Sequence, residues 1–498
     1  MDKIMKKTYI YALTAFLFLA TGGCKKLDNF GDTNIDPSTT TKPLVSALFT
    51  NACATIGGIA TAGSGTTITP TALTGGIIPG LYSQYFTETQ YNDVALYSLQ
   101  QLSFTTYYNT VLNDLQIIIN EKQSNNQNQA SIILQQYIFW RITNSWGDVP
   151  YSEALQGISN IKPKYDKQED IYKGMISKLK AAGAAFDATS PISGDILNNG
   201  DVAAWKRVAN SLRLLMALQL SKKYPATGGY AATEFNAALT DAGGYIDSND
   251  ENLQAAYSGG SLANPWYNAY NGRKDYGESK TLTDLMASLG DTRQNAYGGA
   301  TELVGVSNSE VTSNVGVPYG LTRTQTLAFI DANTNWARIL RGNFRTTTST
   351  VVIISAAEVA LARAEAADRG WTTEALTTVY NNGIDLSFAQ WGIVLPAAYK
   401  TQAAVALGAP GTASNLGKIA IQEYIASYPD GLRGWDIWRR TGFPVLTPAA
   451  AATNASKQIP RRFAYAVGEY TSNKAAIEAA VALLPGGDTQ DAKVWWDQ

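Results

Sequence analysis

Ile353-Ile354-Ser355-Ala356-Ala357-Glu358-Val359-Ala360-Leu361-Ala362-Arg363-Ala364-Glu365-Ala366-Ala367-Asp368-Arg369-Gly370 is the stretch that decides the fold. Its apolar residues Ile353, Ala356, Ala357, Ala360, Leu361, Ala364 and Ala367 recur at three- and four-residue steps, the period of one helix face. That face is mostly alanine, so a neighbouring helix can approach closely, as in stacked helix pairs. Gly370 ends the helix, and Thr372 or Thr373 stands where it could cap the next one. Two earlier stripes have the same period. One is Ile171, Met175, Leu179, Ala182 and Phe186, with Asp166 and Glu169 ahead of it resembling a capping box. The other is Trp205, Val208, Ala209, Leu212, Leu215 and Met216. Helix pairs of this length predict an all-α scaffold of tetratricopeptide-like units. No clean sequence repeat of about 34 residues accompanies them, so the expectation rests on element lengths. Trp146-Gly147 and Pro150-Tyr151 read as marks of a turn between helices.

Working outward, the N-terminus has a basic start at Lys3, Lys6 and Lys7, an apolar run from Ile10 to Ala20, then Thr21-Gly22-Gly23-Cys24. This is the pattern of a secretory leader over residues 1–23. The run is too short to span a bilayer, which needs roughly 20 apolar residues. Small residues directly before Cys24 point to lipidation there, although Thr21 stands where a lipobox usually has leucine. An ordinary cleaved leader with an incidental cysteine is the alternative. Residues 24–44 are polar and Pro-containing and read as a tether; a single domain is expected over 45–498.

The composition removes whole classes of chemistry. There is no histidine, which excludes Ser–His–Asp and Cys–His nucleophile systems and every His-ligated zinc site. With two cysteines and Cys24 assigned to the lipid, Cys53 is alone and no disulfide framework is possible. Neither a metal nor a cofactor is expected. The 39 basic and 41 acidic residues leave no electrostatic footprint for nucleic acid. Carboxylate-only chemistry survives this test.

Residues 258–278 and 291–350 lack helical period and are rich in Gly, Asn, Ser, Thr, Tyr and Arg. They are expected to be ordered loops over one face of the scaffold, because they carry aromatics that disorder disfavours. Within them, Trp266, Tyr267, Tyr270, Asn271, Arg273 and Tyr276 combine flat aromatic faces with amide and guanidinium donors. That combination suits the apolar face and hydroxyl rim of a sugar, or a peptide backbone. It equally suits pinning a long loop to the scaffold. Tyr82, Tyr85 and Tyr91 form a second, earlier candidate set. Trp266 and Tyr270 are expected to be stacking platforms and Arg273 a polar contact.

Further strings follow one another along the chain: Asn34-Ile35-Asp36-Pro37; Trp146 to Ala154; Pro163 to Tyr172; Gly200-Asp201 with Trp205 and Ala209 to Leu214. Then come Ala357-Glu358-Val359, Ala364-Glu365-Ala366, Trp435 to Arg440 with Thr441-Gly442 and Pro444, Pro460-Arg461-Arg462, and Val494 to Asp497. In this order they resemble the SusD/RagB-like family of nutrient-binding outer-membrane lipoproteins, over essentially the whole chain from Cys24. The resemblance implies an all-helical tetratricopeptide-like fold with a loop-rich second half. It implies a lipid (palmitate-bearing) anchor on the outer face of the outer membrane. It also implies a SusC-like TonB-dependent transporter as partner, capture of oligosaccharides or peptides, and no catalytic residues. A surface glycan-degrading enzyme using a carboxylate pair is the alternative.

Read for themselves, most of these strings have structural jobs. Trp435, Trp438, Trp495 and Trp496 are expected to pack in the core or between helices. Asp436 and Arg440 are four apart and could pair, as could Glu365 and Arg369. Glu358 and Glu365 share a helix face but lie about 10 Å apart along it, too far for a retaining carboxylate pair.

Overall fold

The computed structural model describes residues 43–59, 76–302 and 310–498. Helix Ala356–Asp368 begins where Ser355 accepts a hydrogen bond from the Glu358 N–H at 3.0 Å. Its alanines bring it against helices Leu376–Gln390 and Asn415–Ala426. Contact with the first is close enough that a Cβ on Gly383 would lie 2.8 Å from Leu361 Cγ. Gly370, at φ +69°, follows the helix end. Ile353 is not part of the helix: it sits in strand Val351–Ile354, paired antiparallel with Leu253–Ala255. The next helix starts after Ala375 with no side-chain cap, so neither Thr372 nor Thr373 caps it.

The first half of the chain is a succession of packed helices: Asn125–Trp146, Gln168–Ala185, Val202–Gln219 and Tyr230–Leu239, each against the next. Ser124 and Asp201 cap the first and third through side-chain oxygens. Trp146 closes its helix, and Gly147 turns the chain at φ +92°. Ile171, Met175, Leu179 and Ala182 bury together as their spacing predicts. The capping box at Asp166 and Glu169 does not form. Asp166 instead accepts from the backbone N–H groups of Tyr151 and Ser152, and it is Asp148 that caps Gln168 N at 2.8 Å. Helix 202–219 also packs on helix 356–368, so the alanine stripe joins the two halves. The fold is all-α, built of tetratricopeptide-like helix pairs; among the described residues the sheets between them are two-stranded, with short strands. Val45–Gln498 forms one compact unit. The leader, Cys24 and the tether as far as residue 42 lie outside the described residues.

The interior carries an ionic layer around helix Gly431–Thr441. Arg433 donates to Glu358 at 2.5 Å, and Arg141 forks onto Asp430 at 2.7 and 2.8 Å. Asp436 pairs with Arg439 and Asn144, not with Arg440, which reaches across to Glu365 and Glu423. The Glu365–Arg369 pair forms, at 2.7 Å. Arg440 and Arg369 hold the Glu365 carboxyl below its usual range against the effect of burial, while burial pushes the Glu423 carboxyl above it. Trp435 and Trp496 are fully buried, with the Arg439 guanidinium 3.7 Å from the Trp435 ring centre; Trp438 and Trp495 are partly buried against the same core. These tryptophans pack; none is an open platform.

The loop-rich part is more regular than its composition suggests. Segment 258–278 contains helix Pro265–Tyr270 and strand Tyr276–Glu278, and 291–350 contains helices Gln294–Tyr297 and Arg323–Ala332.

Candidate functional site

Asn264 and Pro265 explain the short helix at the centre of the loop-rich face. The Asn264 side chain accepts from the N–H of Trp266 (2.7 Å) and Tyr267 (3.4 Å), and Pro265 occupies the first helical position. Asn264 also donates to Ser349 O at 2.8 Å, tying the helix to the 343–350 loop.

This turn decides which side chains face out. Trp266 is 1% exposed and packs edge-on against Phe86. Tyr270 is 5% exposed; its hydroxyl accepts from Ile339 N and donates to Tyr276 O, both at 2.8 Å, and Arg345 lies 4.5 Å over its ring. Neither offers a free face for stacking at the outer surface, contrary to the sequence expectation. Tyr82 and Tyr85 are likewise fully buried. Tyr82 sits among Tyr97, Trp435 and Phe463, and the Tyr85 hydroxyl donates to Tyr424 O. Tyr91 is 60% exposed, with Arg323 beside its ring. Tyr276 is half-buried in its strand opposite Glu88. Tyr267 is half-buried, and Asn271 and Arg273 are exposed, Arg273 pairing with Asp275.

Tyr267, Tyr270, Asn271, Gly272, Arg273 and Lys274 line a cavity of about 740 Å³. The opposite wall comes from residues about 30 to 70 positions later, and sequence reading did not assign it. It comprises Glu302, Ile330, Asp331, Thr334, Trp336 and Arg338. Strand Tyr276–Glu278 brings the walls together through the Glu278 N–H, which donates to Ala337 O at 2.8 Å. Arg338 is held by Glu302 at 2.6 Å, by three backbone carbonyls and by the Trp336 ring 3.6 Å beneath it. Asp331, Thr334 and Lys274 are exposed at the wall. Aromatic face, amide, hydroxyl and charges of both signs thus converge on one opening, the usual make-up of a binding pocket.

The same face holds two buried acids. Glu278 accepts from Gln294 at 2.7 Å, and burial pushes its carboxyl well above the usual range. Burial also pushes Glu88 up to about 8, against its acceptance of the Ala95 N–H at 2.8 Å. Among the described residues no cluster of three or more His, Cys, Asp or Glu could hold a metal ion, and no helix is long and apolar enough to cross a membrane.

A family model described as starch-binding, associating with the outer membrane, matches residues 44–466. The chain belongs to the SusD-like family. No curated protein matches it in sequence. Solved structures similar to this SusD-like chain include a chitin-binding SusD homologue from Flavobacterium johnsoniae. That homologue is 24% identical at a TM-score of 0.77, covering 91% of this chain and 98% of its own. A SusD homologue from Bacteroides uniformis is 24% identical, TM-score 0.75, covering 91% and 99%. One from Bacteroides fragilis is 23% identical, TM-score 0.76, covering 91% and 100%. At these identities the likeness establishes the SusD-like fold.

Proposed function

We propose that this SusD-like chain is a glycan-binding protein without catalytic turnover that captures oligosaccharides in the 740 Å³ cavity of its loop-rich face. The cavity is the observation that carries this reading. It joins half-buried Tyr267 and exposed Asn271 and Arg273 to Lys274, Asp331 and Thr334, groups that can stack on a sugar ring and hydrogen-bond its hydroxyls. A starch-binding family description and a chitin-binding structural relative support glycans over peptides as the first ligands to try. Absence of turnover is supported by Glu358 and Glu365, each tied to an arginine inside the fold.

In this reading residues 1–23 are a leader, Cys24 carries the lipid, 24–44 tether the domain, and 45–498 fold as one unit. The protein is anchored on the outer face of the outer membrane and hands its ligand to a SusC-like TonB-dependent transporter. Calorimetric titration of the protein with malto- and chito-oligosaccharides, with reducing ends measured alongside, tests the reading. Saturable binding with no new reducing ends is expected. Binding of peptides alone, or cleavage abolished by changing one Asp or Glu, overturns it.

A further inference from the structure

A second cavity, of about 290 Å³, lies on the other side of helix Pro265–Tyr270. Trp266 lines this inner cavity while Tyr267 and Tyr270 line the outer one, and the two linings share no residue. Its volume sits at the lower end of small-molecule sites, which begin near ~300 Å³. Four aromatic rings wall it, Trp266, Phe344, Trp391 and Tyr428. Exposed Thr350 and half-buried Asn343 and Ser349 form its rim. The charges on its floor are ion-paired, Glu358 with Arg433 and Asp430 with Arg141, although Arg433 Nη1 approaches Asp436 only at 3.6 Å and makes no hydrogen bond.

The polar atoms that are not charged behave differently. The indole nitrogens of Trp266 and Trp391, the Ser427 hydroxyl and the Gln390 amide oxygen all belong to residues lining this cavity, are buried, and have no hydrogen-bond partner among the described residues. Buried polar atoms in folded proteins are nearly always partnered, so four beside one cavity define the hydrogen-bonding pattern that a bound molecule would have to match. Three are donors and one is an acceptor, so the matching molecule presents mainly acceptor oxygens and at least one hydroxyl. With the floor charges paired, a charged molecule would be buried without a counter-ion, which favours a neutral one. The aromatic walls suit a ring with an apolar face.

We infer that the inner cavity is a binding site for a neutral, oxygen-rich ring compound of monosaccharide size, recognised by Trp266, Trp391, Ser427 and Gln390. It is a site separate from the outer cavity, and either can fail without the other.

Titration of the protein with D-glucose and with N-acetyl-D-glucosamine, followed by tryptophan fluorescence and calorimetry, tests the inference. At least one sugar is expected to bind saturably. Trp391→Phe keeps an aromatic ring and removes one donor, and Ser427→Ala removes another. Each should weaken binding about fivefold, the effect of one hydrogen bond, with the melting temperature unchanged. Tyr267→Ala, in the outer cavity, should leave monosaccharide affinity within about twofold, since the linings are separate. No saturable binding of either sugar overturns the inference. So does binding that is lost in Tyr267→Ala and untouched in both inner-cavity variants, which would place the sugar outside.

Discussion

Trp266 and Tyr270 are four residues apart on one turn and both are buried, Trp266 beside the inner cavity and Tyr270 in the wall of the outer one; half-buried Tyr267 and exposed Asn271, also four apart, line the outer opening. Their roles should therefore separate by experiment. Trp266→Ala or Tyr270→Ala empties a buried ring site and should cost about 3–5 kcal/mol of stability, seen as a lowered melting temperature. Tyr267→Ala should leave the melting temperature nearly unchanged and weaken oligosaccharide binding about ten- to a hundredfold by titration. The segment 264–276 was legible in the sequence as the place to look. Its inward and outward faces were not, because it reads as a loop unless Asn264-Pro265 is taken as a helix start. Glu302, Asp331 and Arg338 were illegible for another reason: only strand pairing near Ala337 brings them to the cavity.

Glu88 gives a pH dependence at the same scale. Its carboxyl is raised to about 8 by burial, so the folded chain keeps a proton that the unfolded chain sheds above its ordinary value. Its contribution is fully present below pH about 4.5 and is lost progressively as pH rises toward 8. Asp148, raised to about 6, adds in the same direction over the lower part of that range. Thermal melts between pH 5 and pH 8 should show stability falling as pH rises, and Glu88→Gln should flatten the upper part of the slope. An unchanged slope in the variant would remove Glu88 as its cause.

At the scale of elements, periodicity located the helices and chemistry at their ends was harder to read. The alanine stripe placed helix 356–368 correctly but ran into strand Val351–Ile354, because Ile353 is apolar in both periods. Asp166 looked like a cap and is instead a staple for the 151–152 turn, since Asp148 reaches Gln168 from the neighbouring turn. Asp436 and Arg440 have pairing spacing, yet buried partners on three other helices compete for both. Close helix approach yields a prediction of its own. A Cβ on Gly431 would lie 2.2 Å from Gly76 O and 2.3 Å from Gly80 N, backbone atoms that no rotamer change can move. Gly431→Ala should force helix 431–441 away from helix Ile78–Tyr82 and cost about 1–3 kcal/mol. Denaturant unfolding with a midpoint equal to that of the unchanged protein would show that the two helices are not held at this distance.

The whole molecule combines a helical scaffold stabilised by a large core with one face given over to two cavities divided by a six-residue helix. The all-α class and the family were legible because they rest on period and on ordered strings spread over the chain, which survive local misreadings. The proposed lipid anchor is tested at the scale of the whole chain too. Acyl chains on Cys24 would supply the affinity, so Cys24→Ala should leave the fold intact and release the protein from membrane fractions of cells lacking a transporter partner. Retention of that variant would refute the anchor.

Hydrogen exchange of the protein, free and saturated with a malto- or chito-oligosaccharide, tests glycan capture on the loop-rich face most directly. Slowed amide exchange concentrated in residues 266–275 and 330–338 is the predicted result, because these backbone segments carry the outer cavity. Protection confined to the helices of the first half, with 266–275 and 330–338 unchanged, would contradict it.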